Sequence, residues 1–231
     1  MSAKPAVFAV IALVISSCAT MERIQPKFDP AELEKIAAAN PYPENLVLTG
    51  YAALKGKKGW VKSKSAVLVR RPDSMRVTLS GPAGIAWFVG TVNKHAVAYA
   101  VPAKKLYKKM PSTKHAILRI GRIKLRPYDL IRFIYPGLEP AWLEDAIRTG
   151  RENRLVVRKK GDLYSMELNE NRLITSLRVT GKNGAPVRYV YSYGADGGYS
   201  VEIGRNIRFD FIRVETERKM PDSLFVLPAF P

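Results

Sequence analysis

Leu46-Val-Leu-Thr-Gly-Tyr-Ala-Ala-Leu54, then Lys55-Gly-Lys-Lys-Gly59, then Trp60-Val-Lys-Ser-Lys-Ser-Ala-Val-Leu-Val69 form the stretch that sets the fold class. Apolar residues alternate with small or polar ones through much of the two outer runs, and this is the side-chain period of a β-strand. The run between them holds only glycine and lysine, a composition typical of a hairpin loop. The stretch therefore predicts a long antiparallel hairpin.

Shorter runs of the same kind continue this pattern on both sides of the middle of the chain, with Gly, Pro, Asn or Asp between them. In the last run Phe209 and Phe211 keep one parity while Ile212 takes the other, which predicts either a β-bulge or a strand buried on both faces at its end. The predicted strands are Met75–Leu79, Ile85–Val92, Ala96–Val101, Leu155–Arg158, Leu163–Leu168, Ile174–Val179, Val187–Tyr193, Tyr199–Ile203 and Ile207–Glu215.

Helical signals occur before the first strand and in the middle of the chain. Phe28–Ala39 predicts a helix, because Asp29-Pro-Ala-Glu32 combines a cap residue, a first-turn proline and the spacing of a capping box. Ser112–Ile123 and Pro127–Tyr135 have apolar spacings that predict amphipathic helices, and Ala141–Ile147 predicts a third, short one.

The order of these elements is a helix, strands, helices and strands again, without the β-α alternation of a parallel sheet. An antiparallel sheet with this many strands must curl. We therefore predict a mainly β domain of the α+β class, a curled antiparallel sheet or incomplete β-barrel. Its middle helices either fill the concave side of the sheet or form a lid over an apolar cavity, and we predict the lid.

The N-terminus has the pattern of an export signal. Cys18 is the only cysteine, so a disulfide within the chain is excluded, and it follows the apolar run Ala6–Ile15 and the small residues Ser16 and Ser17. The run is too short to span a bilayer but suits a signal peptide. Ile15-Ser-Ser-Cys18 resembles the bacterial lipobox, whose cysteine is acylated and becomes the mature N-terminus.

These features predict a signal peptide at 1–17, a lipidated tether at 18–27 and a single domain at 28–231. The alternative is a plain secretory signal with an incidental cysteine. Ala19, rather than Asp, follows the cysteine. The resemblance to lipoproteins therefore implies the periplasmic face of the outer membrane, with the chain anchored through Cys18.

Charge is strongly unbalanced, with 38 Lys and Arg against 20 Asp and Glu. Export excludes nucleic acid as the partner, which leaves lipid headgroups, lipopolysaccharide phosphates and acidic proteins. The alternative is a solvated face that keeps the protein soluble. The candidate basic patch comprises Lys104, Lys105, Lys108, Lys109, Arg119, Arg122 and Arg126.

Several phrases resemble the LolA/LolB lipoprotein-localisation superfamily, and Cys18 makes LolB the nearer branch. They are Leu48-Thr-Gly-Tyr-Ala52 followed by Trp60, Leu79-Ser-Gly-Pro-Ala-Gly-Ile-Ala86, Pro127-Tyr-Asp-Leu-Ile131 ending at Pro136-Gly137, and Pro221-Asp-Ser-Leu-Phe225. The resemblance implies a half-barrel that accepts the acyl chains of lipoproteins from a LolA-like periplasmic carrier and releases them into the outer membrane. It implies no covalent chemistry and no cofactor, and we expect a monomer.

The resemblance also implies a protruding loop with an exposed apolar residue that enters the membrane. The matching position makes Ile85 the candidate, with Trp87 and Phe88 nearby. The alternative is that these three residues begin a strand and pack inward. Candidate cavity-lining residues are Trp60, Leu79, Tyr99, Leu130, Phe133, Tyr191 and Phe209.

Two rival functions remain open at this point. One is an envelope adaptor lipoprotein whose basic patch docks a partner complex, and the other is a carrier of lipopolysaccharide or phospholipid. An open apolar interior favours a carrier, whereas an interior filled by Phe, Tyr and Trp favours the adaptor. A basic rim favours phosphorylated lipid.

Enzymatic functions find little support in the sequence. His95 and His115 lack the companions of a metal site. Glu202 and Asp210 resemble a carboxylate pair, but ion pairing of Asp210 with Arg208 or Arg213 is the simpler interpretation. The nucleophile-elbow, phosphate-loop and dinucleotide-binding motifs are absent. We therefore predict no catalytic residues and no metal.

Overall fold

The computed structural model describes residues 28–56, 59–113, 117–120, 123–148, 153–181 and 186–227. Cys18 and its tether therefore lie outside the described residues, as do His115 and Arg122. The first helix, α1 (Pro30–Ala39), is capped as predicted, because the Asp29 carboxylate accepts a hydrogen bond from the Ala31 amide at 3.1 Å.

Most of the described chain is β-structure, and every strand predicted from the sequence is present. The strands are β1 (Asn45–Gly56), β2 (Gly59–Arg70), β3 (Ser74–Ser80), β4 (Ala86–Val92), β5 (Ala96–Val101), β6 (Leu106–Pro111), β7 (Leu118–Ile120), β8 (Ile123–Leu125), β9 (Ala146–Arg148), β10 (Arg154–Lys159), β11 (Asp162–Leu168), β12 (Ile174–Thr180), β13 (Val187–Tyr193), β14 (Tyr199–Ile203) and β15 (Ile207–Thr216).

Within the described residues, thirteen of these strands form one antiparallel sheet in the order β6-β5-β4-β3-β2-β1-β15-β14-β13-β12-β11-β10-β9. Neighbours in the sheet are neighbours in sequence except that β1 pairs with β15. The sheet is curled and does not close, as the sequence predicts for its fold class. Because successive strands are antiparallel, the β1–β2, β3–β4, β5–β6 and β14–β15 connections all lie at one end of the sheet. We call it the loop end.

The predicted bulge lies where β1 meets β15. Thr49 is paired with Arg213 and Gly50 with Phe211, so Ile212 is the extra residue. A Cβ atom at Gly50 would lie 2.0 Å from the Asp210 carbonyl oxygen. Only glycine permits this close approach of the two central strands.

One face of the sheet carries the main core. Leu48, Val67, Phe211, Val201 and Tyr189 lie on this inner face and are buried. The outer face is covered along β1–β5 by the segment that follows β15, residues 217–227. Phe225 and Leu227 of this segment pack in two smaller apolar clusters. The segment is held by side-chain hydrogen bonds from β2, β3, β6 and the β4–β5 turn to its carbonyl oxygens.

The middle of the chain differs from the prediction. The predicted helix Ser112–Ile123 is wrong: β6 ends at Pro111, and β7 and β8 form a separate two-stranded sheet. The run Leu118-Arg-Ile-Gly-Arg-Ile-Lys-Leu125 in fact alternates around a glycine, which is the pattern of a hairpin. The third predicted helix is a 3₁₀ turn at Pro140–Trp142 followed by β9.

The remaining predicted helix is confirmed as α2 (Pro127–Phe133). Among the described residues, no helix combines the length and apolarity needed to cross a bilayer.

Candidate functional site

The interior of the sheet has two parts, and α2 fills the part enclosed by β9–β15. Ile131, Phe133 and the following Ile134 are all buried. The ring of Phe133 lies 5.6 Å from that of Trp142 and 5.5 Å from that of Tyr189 between centroids. Aromatic packing therefore fills this half, so α2 lies against packed core here rather than over an apolar cavity.

The C-terminal end of α2 is held by side chains from distant strands. Tyr191 and Tyr199 donate hydrogen bonds from their hydroxyls to the carbonyl oxygens of Phe133 at 2.7 Å and Ile134 at 3.0 Å. The Arg71 guanidinium donates to the carbonyl oxygens of Ile131 and Arg132 and, from Nη1, to that of Pro43 at 2.9 Å. The last carbonyls of a helix lack partners within it, so these bonds satisfy them.

Arg71 makes these contacts as a buried cation. Its guanidinium carbon lies 3.7 Å from the centroid of the Tyr42 ring, and no ion pair with a carboxylate is recorded for it within the described chain. Burial lowers the pKa of Arg71. Carbonyl oxygens, the negative end of the helix and aromatic faces therefore take the place of a counterion.

The start of α2 is held by an ion-pair network. Arg126 contacts the carboxylates of Asp129 and Asp162, each at 2.7 Å. Burial raises the pKa of the Asp129 carboxyl in spite of Arg126, and the two carboxylates raise the pKa of Arg126 although burial opposes this. Arg126 is thus committed to an internal network. The sequence placed Arg126 in the candidate basic patch, whereas the structure pairs it with two carboxylates.

Because three tyrosines are buried, we expect the free energy of unfolding to fall at high pH. Burial raises the pKa of the Tyr189, Tyr191 and Tyr199 phenols well above 10. Below pH 10 all three are neutral whether folded or unfolded. Above it they ionise only in the unfolded chain, so the free energy of unfolding falls by up to roughly 1.4 kcal/mol per pH unit for each phenol.

Urea unfolding of the domain at pH 9, 10 and 11 measures this slope. We expect Tyr191→Phe to make the slope of unfolding free energy against pH shallower by up to about 1.4 kcal/mol per pH unit, the contribution of one phenol. A slope that is unchanged in Tyr191→Phe would show that this phenol does not titrate in the unfolding equilibrium.

The side chains in the other part of the interior are less completely buried. It lies over β1–β6 on the inner face, where a set of large apolar side chains is only half-buried. Gly90 sits among them on β4, opposite Val77 and Tyr99, and leaves room that the Phe88 ring partly occupies. We call this set the apolar trough; it consists of Leu54, Val77, Trp87, Phe88, Tyr99 and Met110.

Aromatic rings form one wall of the trough. The Phe88 ring centroid lies 6.3 Å from those of Trp87 and Tyr99. The Trp87 indole N–H donates to the Ser63 hydroxyl oxygen at 2.8 Å, so its polar atom is satisfied while its ring faces the trough. A surface of this kind suits an unbranched hydrocarbon chain, which needs apolar contact and no specific hydrogen bonds.

Ile85 lies next to this trough, on the β3–β4 connection at the loop end. Its side chain is 74% exposed, the largest fraction among the exposed large apolar residues of the described chain. Gly84 before it has a positive φ of 76°, which turns the chain so that Ile85 projects from the strands. The trough and an exposed isoleucine therefore meet at one end of the molecule.

Comparison with known proteins gives no sequence match, since no family model and no curated protein matches this chain. Solved structures resemble it in fold. A putative outer membrane lipoprotein-sorting protein domain from Vibrio parahaemolyticus has a TM-score of 0.50 and 11% identity, covering 84% of this chain and 94% of that one. A LolA superfamily protein from Nitrosomonas europaea has a TM-score of 0.51 and 10% identity, covering 85% and 96%.

A DUF1329 family protein from Desulfovibrio piger ATCC 29098 has a TM-score of 0.56 and 10% identity, covering 85% of this chain and 93% of that one. The fold is LolA-like. At such low identity the likeness establishes the architecture alone, so the architecture implied by the sequence resemblance is confirmed.

Within this LolA-like fold, the residues predicted for the membrane loop separate into two groups. Ile85 is exposed on the loop. Trp87 and Phe88 belong to β4 and pack against the core, so their place in an exposed loop is wrong. The bulge between Leu79 and Ser80 turns Trp87 inward beside Phe88.

The predicted cavity-lining residues also divide. Leu79, Leu130, Phe133, Tyr191 and Phe209 lie on the inner side but are buried in packed core, and Tyr99 lies in the trough. Trp60 is 49% exposed and has the opposite parity from the buried residues of β2, so it lies on the outer face and its assignment to the cavity is wrong.

Two pockets formed by described residues, of about 160 and 190 Å³, contain none of the predicted cavity-lining side chains. Of the other described cations of the predicted patch, Arg119 belongs to β7, and the four lysines occupy the β5–β6 hairpin. Lys104 and Lys105 lie on its turn, and Lys108 and Lys109 point to opposite faces of β6.

The described residues include His95, Glu202 and Asp210 of the candidate metal and carboxylate sites, whereas His115 lies outside them. Among the described residues, no three His, Cys, Asp or Glu side chains are grouped to hold a metal ion, and His95 is exposed on the β4–β5 turn. Asp210 accepts a hydrogen bond from Arg208 at 2.7 Å, the ion pair that the sequence favoured.

Proposed function

We propose that this chain is a lipid-anchored, non-enzymatic carrier of the LolB type, which binds the acyl chains of lipoproteins and releases them into the outer membrane. The observation that carries the proposal is the half-buried apolar trough, whose Trp87 lies two residues from the exposed Ile85. An acyl chain in the trough is shielded from water at about 0.8 kcal/mol per buried methylene.

The remaining parts of the proposal follow from the chain's N-terminus and its neighbours in fold. Acylation of Cys18 anchors the domain at the periplasmic face of the outer membrane, and a LolA-like carrier supplies the cargo. The tether keeps the trough within reach of both the carrier and the bilayer. Ile85 enters the bilayer when cargo is released, and no covalent step is needed.

The test uses the mature chain with Cys18→Ser, so that no acyl chain anchors the protein. A LolA-like carrier loaded with radiolabelled triacylated lipoprotein is mixed with it, and the label is followed to the protein and then to liposomes. We expect label on the protein and then on the liposomes. Label that stays on the donor, with the acceptor shown to be folded, would contradict the proposal.

A second function, an envelope adaptor, is favoured by the packed half of the interior. Phe133, Trp142 and Tyr164 fill the space beside α2 where a carrier of bulky lipid would need room. The same experiment separates the two functions, because an adaptor takes up no acyl cargo. Lipopolysaccharide and phospholipid as competing cargoes identify the lipid class that the trough prefers.

A further inference from the structure

The β1–β2 hairpin carries two exposed apolar side chains that the proposed function does not use. Trp60 is 49% exposed and Val61 is 57% exposed. They follow Gly59, which pairs with Gly56 at the last position of the hairpin. Since neighbouring residues of a strand point to opposite faces, this hairpin end is apolar on both sides.

Apolar groups on both faces cannot be buried together by packing against one layer of protein. They are buried together when the hairpin end enters an apolar phase. Tryptophan is enriched where membranes meet water, because its ring is apolar and its N–H is polar. Ile85, on the next connection along the same loop end, adds a third exposed apolar side chain there.

Cations surround these apolar side chains. The Lys55 ammonium lies 6.0 Å from the Trp60 ring centroid, and the Lys62 ammonium lies 4.5 Å from that of Tyr51 on the same hairpin. Lys104 and Lys105 are exposed on the β5–β6 turn. The sequences 55–62, 81–85 and 102–105 contain no Asp or Glu.

We propose that the loop end docks on an anionic lipid bilayer, with Trp60 and Val61 in the interface and Lys55, Lys62, Lys104 and Lys105 against the headgroup phosphates. Lysine is a compact point charge on a flexible stem, which suits a fluid array of headgroups, whereas fixed recognition of a carboxylate or phosphate usually employs arginine. The inference rests on the proposed function in one respect only, that both place the loop end at a bilayer.

This docking gives the half-barrel a defined orientation. Leu54 and Trp87 place one end of the trough at the loop end near Ile85, so docking through Trp60 and the lysines brings that end to the headgroups. An acyl chain leaving the trough then passes into lipid without crossing bulk water.

The test measures vesicle binding without cargo. The mature chain with Cys18→Ser is sedimented with vesicles of phosphatidylcholine alone or mixed with phosphatidylglycerol. We expect binding to the mixed vesicles that weakens with added salt, because screening reduces attraction between exposed charges. Brominated lipid in the same vesicles should quench tryptophan fluorescence, and Trp60→Phe should remove most of this quenching while it preserves binding.

Two variants should lower binding to mixed vesicles at least tenfold: Trp60→Ser, and Lys55→Glu combined with Lys62→Glu. Matched controls are Ile212→Ser, which removes an exposed apolar side chain from the bulge on β15, and Lys219→Glu, which reverses a charge beyond the far end of β15. Both controls should bind as the parent does.

Equal binding to both kinds of vesicle, or unchanged binding by Trp60→Ser, would overturn the proposal. Binding that soluble polyglutamate abolishes, and that does not depend on Trp60, would assign the surface to an acidic protein instead. Uptake of acyl cargo without vesicle binding would contradict the docking and leave the carrier function standing. Vesicle binding without uptake of acyl cargo would contradict the carrier function and leave the docking standing.

Discussion

Ile85→Glu is expected to reduce delivery of acyl cargo to liposomes at least tenfold while uptake of cargo from the donor stays within about twofold of the parent. Burying an isoleucine side chain contributes about 1.5–3 kcal/mol, and a carboxylate in its place opposes entry into lipid. A change of 1.4 kcal/mol corresponds to about tenfold in rate or equilibrium. The trough keeps its own apolar side chains, so uptake continues.

Transfer of radiolabel measures both steps in one experiment. The matched control is Ile212→Glu, because Ile212 is 61% exposed on β15 and lies away from the loop end. Delivery by Ile212→Glu should equal that of the parent. Equal losses in the two variants would show that the effect comes from added charge or from instability rather than from the position of Ile85.

Arg71→Met is expected to lower the free energy of unfolding by about 3 kcal/mol or more, because several buried hydrogen bonds lose their donor. The variant leaves the carbonyl oxygens of Pro43, Ile131 and Arg132 without their donor in the interior. Each buried group left without a partner costs about 1–3 kcal/mol. The stacking contact with Tyr42 is lost as well.

Urea unfolding measures this loss, and two other variants calibrate it. Arg71→Lys keeps the charge but not the fork of donors, so we expect an intermediate loss. Arg213→Met removes an exposed arginine whose ion pair with Glu215 contributes about 0–1 kcal/mol. An Arg71→Met protein as stable as Arg213→Met would show that the end of α2 does not depend on this guanidinium.

The strands were predictable because their signal is local. Alternation within each run and turn residues between runs depend on neighbours in sequence, and the change of parity at Ile212 located the bulge between β1 and β15. The segment 118–125 was mistaken for helix because a short apolar run matches both periods. Its Gly121 at the centre of the alternation favoured a hairpin, and the structure pairs β7 with β8 in antiparallel orientation.

The site was predictable only in part, because burial depends on contacts between distant segments. The exposure of Ile85 followed from the glycines and proline before it. The inward position of Trp87 depends on the bulge between Leu79 and Ser80, which pairing with β3 reveals. The role of Arg71 had no sequence signal, since its partners are backbone carbonyls of Pro43 and of a helix about 60 residues away.

The same holds for the outer position of Trp60 and for Arg126. The inward-facing positions of β2 are exposed at the hairpin end and become buried only from Ser63 onward. The face on which Trp60 lies therefore follows only from the register with β1. Arg126 lies in a basic run of the sequence, but in the fold it forms ion pairs with Asp129 and Asp162.

The most direct measurement of the central claim is where an acyl chain binds. A triacylated lipopeptide with brominated acyl chains is added, without vesicles, to the Trp60→Phe protein, which retains Trp87 in the trough and Trp142 in the packed half. Saturable quenching of Trp87 that is absent in the additional Trp87→Phe variant is the predicted result. Quenching of Trp142 alone, or no quenching of the folded protein, would contradict acyl-chain binding in the trough.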